Sequence, residues 1–361
     1  MVSSPIAGAK PEDRSPEPAG AQVATAPTRR FADIDMLKGF AILCVLLIHS
    51  RALGTSFVFR YCVNHAVPIF IVLFGLNSEL WWRRRRLPGD LGDWYRNRAL
   101  RLMLPVWAAV PVWWALAIVF HPPMVSLSPS LAADHLVGYM AQIGTGWFVT
   151  LVIQLAILFP LLHLVERRVG MWAVLLLAFS VEYAAIWYRF FIISKYGMFN
   201  SFVFSPRFYG HVAFGMWLAS RLDRLGTVTA AVAALAYAAC VAGVLGFIAP
   251  SVVVYADYLM DLPLTVLLLQ AMRLVERVPR VRDALVWLGL SSYGIYLGQM
   301  LTHNAACFAL GERRIYDGMN LWLYTLILLA GALFFVWLGE TALRVAEDLR
   351  RRGYPLPALG R

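Results

Sequence analysis

Residues Asp33–Ser50 read DIDMLKGFAILCVLLIHS, an apolar run with a lysine near its start and a histidine near its end. In a helix, Lys38 and His49 are about three turns apart, so both side chains project from one face. The rise between them is roughly 16 Å, about half of the hydrocarbon core of a bilayer. Because ionisable groups inside a membrane span are costly, the pattern predicts a first membrane helix that carries a functional stripe.

Composition extends this prediction to the whole chain. The 361 residues are 60% hydrophobic and only 15% charged, whereas soluble domains are nearer half apolar and about a quarter charged. The excess predicts an all-α integral membrane protein of about ten spans of roughly 20 residues each. We place these spans near residues 34–53, 62–82, 100–120, 147–165, 170–190, 207–221, 226–248, 258–275, 284–309 and 320–343.

The basic residues orient the spans. If ten spans alternate, every Lys/Arg cluster falls on one side, and the loop from His121 to Gly146 on the other side has no lysine or arginine. The positive-inside rule makes the basic side cytoplasmic, with both termini inside. The net charge of +11 therefore reflects topology. Nucleic-acid binding explains it less well, because the charges are spread along one membrane face.

The ends of the chain are predicted to lie outside the membrane. Residues 1–30 are rich in Ala, Pro, Ser and Glu without an apolar run, which indicates a disordered cytoplasmic tail. Residues 31–345 form the ten-span domain, and residues 346–361 form a basic cytoplasmic tail. The four cysteines have no metal-ligand spacing, so we expect packing roles and no metal site.

A set of motifs resembles a known family. Asp35, Lys38, Gly39 and His49 match the first helix of the acyltransferase-3 family of integral membrane O-acyltransferases, which carries a basic residue, ten spacers and a histidine. The D-x-x-K-G spacing resembles the branch of fucose 4-O-acetylases. The segment Val67–Glu79, VPIFIVLFGLNSE, is similar to the family's second span.

The resemblance continues through later spans. Arg98 and Arg101 fill the family's R-x-x-R entry into the third span, and Trp147 and Gln154 match its fourth. In the ninth span Gln299 stands where the family has a final histidine, and His303 follows one turn later on the same face.

The resemblance implies an activity and its partners. The family moves acyl groups, commonly acetyl from acetyl-CoA, onto sugars of the envelope or of secreted glycans. We therefore expect acetyl-CoA as donor, no permanently bound cofactor, a glycan or glycolipid acceptor, contact with membrane lipids, and a bacterial inner-membrane location.

The chemistry of acyl transfer assigns roles to the first and third spans. A base must take the hydroxyl proton during attack on a thioester, and histidine suits this task near neutral pH. His49 is the candidate, as general base or as a nucleophile that carries the acyl group; a buried histidine bonding a carbonyl is the alternative. Lys38, Arg98 and Arg101 are candidates for binding CoA phosphates, although membrane anchoring and topology also explain their charge.

A second polar population is predicted in the outer half of the membrane, where several spans carry buried polar groups that suggest an internal cavity. Glu182 falls near the depth of His49, and we expect it to orient that histidine. The candidates for binding the acceptor are Trp147, Gln154, Arg207, His211, Asp261, Gln299 and His303.

The rival class is a transporter or flippase of a polar or lipid-linked substrate, in which the same groups line a pathway. Transporters often contain internal repeats and helices broken by Gly and Pro. No paired breaks are evident in this sequence, so the enzyme is favoured. A sensor that keeps the fold without catalysis is the third possibility.

Overall fold

The computed structural model describes residues 31–85, 89–120, 128–140, 146–188, 205–247 and 256–351, and within these ranges the chain is helical and contains no strand. The helices are α1 (Ala32–Ser50), α2 (Phe57–Tyr61), α3 (Ala66–Trp82), α4 (Leu91–Phe120), α5 (Pro129–Leu136), α6 (Trp147–Val169), α7 (Met171–Tyr188), α8 (Tyr209–Ala219), α9 (Thr227–Ala242), α10 (Asp261–Val275), α11 (Pro279–Leu290), α12 (Ser292–Leu310), α13 (Glu312–Gly318) and α14 (Leu321–Arg351).

The described residues cover the two predicted tails only in part. The predicted tail of residues 1–30 lies outside the described residues, as do residues 352–361. The last helix, α14, continues to Arg351, so it extends into the first residues of the predicted basic tail at 346–361.

The membrane character of the chain is clear from its helices. Among the described residues, seven helical segments are long and apolar enough to cross a membrane, and eight if one bent pair counts as a span. The seven are Phe57–Trp82, Leu91–Phe120, Trp147–Val169, Met171–Tyr188, Thr227–Gly246, Ala256–Val275 and Leu321–Val345.

Two further predicted spans coincide with helices that lie at the centre of the molecule. Most residues of α1 are buried, and α1 packs against α3, α10, α11, α12 and α14. The helix α8 has 11 residues, eight of them buried, and it packs against α3 and α7. Charges in α1 and the shortness of α8 are tolerated because other helices shield both from lipid.

Glycines allow two of these central crossings to be very close. A Cβ on Gly39 would lie 2.1 Å from the carbonyl oxygen of Leu285, and one on Gly289 would lie 1.8 Å from that of Asp35. The crossing of α3 and α8 has the same character, since a Cβ on Gly75 would lie 2.2 Å from the carbonyl oxygen of Val212. Backbone contact at these points fixes the depth and rotation of α1 and α3.

The span predicted near 284–309 is not one continuous helix. The helices α11 and α12 meet at Ser291 and are bent by 69°. Gly289, Ser291, Ser292 and Gly294 surround the bend. Glycine and serine residues are a known cause of sharp kinks, so the sequence contained a local signal that the placement of one span across 284–309 overlooked.

Ion pairs fix the ends of α1 and α3. Asp33 pairs with Arg273 at 3.1 Å, whose guanidinium also donates to the carbonyl oxygens of Leu222 and Leu225, each at 2.8 Å. At the end of α3, Glu79 pairs with Arg83 at 3.0 Å and with His163 at 2.9 Å. These contacts tie α1 to α10 and α3 to α6.

Candidate active site

One face of α1 lines two adjoining chambers. Lys38, Ile42 and Val45 face the first chamber, of about 410 Å³, which we call the basic chamber. Val45, Ile48 and His49 face the second, of about 350 Å³, which we call the histidine chamber. Both volumes lie in the range of small-molecule sites. The predicted stripe on the first helix is therefore the shared wall of two cavities.

The basic chamber holds the three predicted cations. Arg98 and Arg101 enter from α4, opposite Lys38 of α1. The guanidinium of Arg98 donates to Ser78 Oγ at 3.0 Å and lies 4.2 Å from the ring centroid of Trp94. Lys38 Nζ is 3.1 Å from Asp35 Oδ1. Three cations converging on one cavity favour an anionic ligand.

The break between α11 and α12 adds to this attraction. Gly289, Leu290, Ser292 and Tyr293, which flank the break, line the basic chamber. The first turn of α12 therefore begins at the chamber wall. Unpaired backbone N–H groups and the helix dipole at such an N-terminus favour phosphate or carboxylate groups.

The histidine chamber has a mixed polar and aromatic lining. Its polar groups come from α1, the turn before α3, the segment before α8 and the segment leading into α10, and its aromatic groups include indole and phenol rings. Its lining includes His49, Asn64, His65, Trp147, Arg207, Asp257, Tyr258 and Asp261. Arg207 donates a hydrogen bond to the hydroxyl of Tyr258. Polar groups beside aromatic rings suit a ligand with hydroxyl groups and apolar ring faces.

A buried chain of four ionisable groups supports this chamber. Glu182 Oε1 is 2.8 Å from His211 Nδ1, His211 Nε2 is 3.1 Å from Asp261 Oδ2, and Asp261 Oδ1 is 2.5 Å from His65 Nδ1. The chain ends where His65 Nε2 donates to the carbonyl oxygen of Arg60 at 3.0 Å. All four side chains are buried.

Both ring nitrogens of His65 are engaged in this chain. Nε2 donates to the carbonyl oxygen of Arg60, which can only accept, and Nδ1 shares a hydrogen bond with Asp261 Oδ1. His211 lies between the carboxyl groups of Glu182 and Asp261, so imidazole rings and carboxyl groups alternate along the chain. Neither ring nitrogen of His65 is therefore left open toward the chamber.

His49 lies outside this chain. Its Nδ1 is buried without a hydrogen-bond partner, and no carboxylate pairs with it among the described residues. Its backbone carbonyl accepts a hydrogen bond of 2.9 Å from Tyr316, and burial raises the pKa of this phenol to about 12. His49 is thus the histidine of this chamber that keeps a lone pair for accepting a proton.

The structure places the other predicted residues in three groups. Trp147, Arg207 and Asp261 line the histidine chamber, and His211 lies behind Asp261. The ring of His303 is 6.0 Å from that of His49, and its Nδ1 bonds the hydroxyl of Tyr324 at 2.8 Å. Gln154 and Gln299 do not line either chamber.

Glu182 does not orient His49. One of its oxygens faces His211, and the other accepts from the backbone N–H of Gly210 at 2.7 Å. Matching depth in two helices does not determine which helices are neighbours, and α8 receives the carboxylate of Glu182. Its place is at the far end of the chain that holds Asp261.

Sequence reasoning missed several residues of the chamber walls. Asp257 and Tyr258 line the histidine chamber beside Asp261. The spacing of Asp257 and Asp261, one helical turn, is the signal that could have identified the first of them. Phe148 and Tyr296 line both chambers, and an aromatic residue in an apolar span gives no sequence signal for that position.

A family model matches most of the chain. The model of the acyltransferase-3 family, described as an acyltransferase domain, matches residues 31–341. No curated protein and no solved structure matches the chain significantly. The match covers all the helices that build the two chambers, so the chain belongs to the acyltransferase-3 family and is an integral membrane acyltransferase.

Proposed function

We propose that this protein transfers an acyl group, in particular acetyl from cytoplasmic acetyl-CoA, to a hydroxyl of an envelope or exported glycan on the other side of a bacterial inner membrane. The observation that carries the proposal is the single face of α1, which presents Lys38 to the basic chamber and His49 to the adjoining histidine chamber. The donor enters through one chamber and the acceptor through the other.

The basic chamber suits the phosphates of the donor. Lys38, Arg98, Arg101 and the N-terminus of α12 supply positive charge to one cavity. Most of the side chains that line that cavity are apolar or aromatic, and the arm that carries the thioester extends past them toward His49. In this arrangement both termini of the chain lie on the donor side, as the distribution of basic residues predicts.

The histidine chamber suits the acceptor and the transfer step. Asp261 accepts hydrogen bonds from sugar hydroxyls, Arg207 donates hydrogen bonds to them, and Trp147 offers a ring face to the sugar. As the oxygen of the attacking hydroxyl bonds to the thioester carbon, His49 takes the proton of that hydroxyl. The carbon–sulfur bond then breaks, and His49 returns the proton to the CoA thiolate. A variant of this route places the acyl group on His49 first.

Membrane vesicles test the proposal. Vesicles from producing cells receive acetyl-CoA labelled in the acetyl group, and base-labile label in endogenous acceptors is measured together with released CoA thiol. We expect His49→Ala to lower ester formation by about a hundred- to ten-thousand-fold, the range for loss of a general base. The matched control is His135→Ala, because His135 of α5 packs against Trp113 of α4 and lines neither chamber. Equal ester formation in both variants would remove His49 from the mechanism.

The broken helix gives one observation in favour of the rival class. Half-helix N-termini that face anionic substrates are a device of transporters, and α12 begins at the basic chamber. The same vesicle experiment separates the classes: a transporter or flippase forms no labelled ester and releases no CoA thiol.

A further inference from the structure

The two chambers share part of their walls. Val45, Val67, Phe148 and Tyr296 line both cavities, and we call these four side chains the septum. They come from four different helices, α1, α3, α6 and α12. His49 faces only the histidine chamber, while the three cations face only the basic chamber. An acyl group that enters with its CoA phosphates in the basic chamber must therefore pass the septum to reach His49.

The septum is apolar and well packed. Val45 is 2% exposed and Tyr296 is 4% exposed. The rings of Phe148 and Tyr296 lie edge to face, with centroids 5.3 Å apart. The ring centroids of Phe148 and Phe70 are 6.1 Å apart. The side chains of the septum therefore set the width of the passage between the two chambers, because packed interiors do not deform continuously.

We propose that the septum, and above all Phe148 and Tyr296, selects the length of the acyl group. A short acyl group passes the ring pair and places its carbonyl beside His49. A longer chain needs space that the two rings occupy, and overpacking of this kind is unfavourable. The proposal rests on the proposed function, since it concerns the donor of the same reaction.

The test compares donors of different chain length. Vesicles containing the wild-type protein, Phe148→Ala or Tyr296→Ala receive acetyl-CoA, butyryl-CoA or octanoyl-CoA, each labelled in the acyl group. Base-labile label is measured, and the background label from matched vesicles that carry the His49→Ala protein is subtracted. The quantity of interest is the ratio of kcat/KM for each longer donor to that for acetyl-CoA.

We expect both alanine variants to raise this ratio by roughly tenfold or more, because a single methylene in an apolar pocket changes specificity by about 10–200-fold. The matched control is Phe74→Ala, since Phe74 lines the basic chamber without belonging to the septum. It should affect all donors equally. If a septum variant does not fold, Phe148→Leu makes the same comparison with a smaller change.

Two results would overturn the septum as a length filter. One is an unchanged ratio of kcat/KM values in well-folded septum variants. The other is a change in this ratio that is equally large in Phe74→Ala. Increased hydrolysis of acetyl-CoA without a change in the ratio would likewise assign the septum to water exclusion alone. Failure of the proposed function itself is distinguishable, because the wild-type protein would then form no ester from any donor.

Discussion

At the scale of single residues, partners decide which histidine can act as a base. His49 and His65 line the same chamber, but both ring nitrogens of His65 are engaged, one by Asp261 and the other by a backbone carbonyl. His49 has no carboxylate partner among the described residues. The spacing of Lys38 and His49 was enough to predict their common face from the sequence. The partners of Glu182 and His65 were not predictable, because they depend on which helices pack together.

The arginines of the basic chamber allow a residue-scale prediction. Arg98→Ala removes a guanidinium that faces the chamber, whereas Arg96→Ala, two residues earlier, removes an exposed one that does not line it. A charge-assisted contact to phosphate is worth about 1.5–3 kcal/mol, which corresponds to roughly ten- to hundred-fold in affinity. We expect the KM for acetyl-CoA to rise by this factor in Arg98→Ala and to stay unchanged in Arg96→Ala.

Kinetics in vesicles with each substrate varied in turn check this assignment. A normal KM for acetyl-CoA in Arg98→Ala, together with a raised KM for the acceptor, would show that the donor does not bind in the basic chamber.

The buried chain gives a second prediction at this scale. His211→Ala leaves the carboxylates of Glu182 and Asp261 buried without the cation between them. Breaking a buried pair in this way costs about 3–5 kcal/mol, so we expect markedly less folded protein after heating in detergent. The matched control is Arg344→Ala, which loses an exposed pair with Glu340 and should change stability by no more than about 1 kcal/mol.

Size-exclusion profiles after a heating series measure the effect. Adding Glu182→Gln to His211→Ala should restore part of the lost stability, because it removes one of the uncompensated charges. Equal stability of His211→Ala and Arg344→Ala would contradict the chain of alternating charges.

At the scale of helices, the central elements are those that a hydropathy pattern describes least well. Charges at Asp33, Asp35 and Lys38 make α1 a poor span by composition, and α8 is too short to cross a bilayer alone, yet both are buried. The number of spans therefore remains a prediction. The break at Ser291 was missed because the span was placed by hydropathy, although Gly289, Ser292 and Gly294 lie around the break.

Glycine substitutions test the central crossing of α1 and α11. The Cβ of Gly39→Ala would meet the backbone of Leu285 at 2.1 Å, so the helices must separate, at a cost of about 1–3 kcal/mol. Gly92→Ala is the matched control, because no atom lies within 4 Å of its added Cβ and alanine favours the helix.

We expect lower thermal stability and lower transfer activity in Gly39→Ala, since α1 carries both Lys38 and His49. Stability in detergent and ester formation in vesicles measure the two effects. Wild-type values for both in Gly39→Ala would show that the crossing tolerates an extra methyl group and does not set the position of α1.

At the scale of the whole molecule, the two chambers adjoin along one face of α1. The cations and the N-terminus of α12 lie toward the start of α1, and His49, Asp261 and Trp147 lie toward its end. Family membership was evident from the order of the motifs and is confirmed by the match over residues 31–341. The chambers themselves were not predictable in detail, because their walls join residues from helices far apart in sequence.

The sidedness of the donor tests whether acyl transfer occurs across the membrane through the two chambers. Vesicles of both orientations are prepared, and the face that carries the start of α4 is identified by labelling Gly92→Cys with a maleimide that does not cross membranes, the unsubstituted protein serving as background. Labelled acetyl-CoA, which does not cross membranes either, is supplied to one face at a time. We expect ester formation only when acetyl-CoA is on the face of Gly92. Equal ester formation with acetyl-CoA restricted to the opposite face would contradict transfer across the membrane through the two chambers.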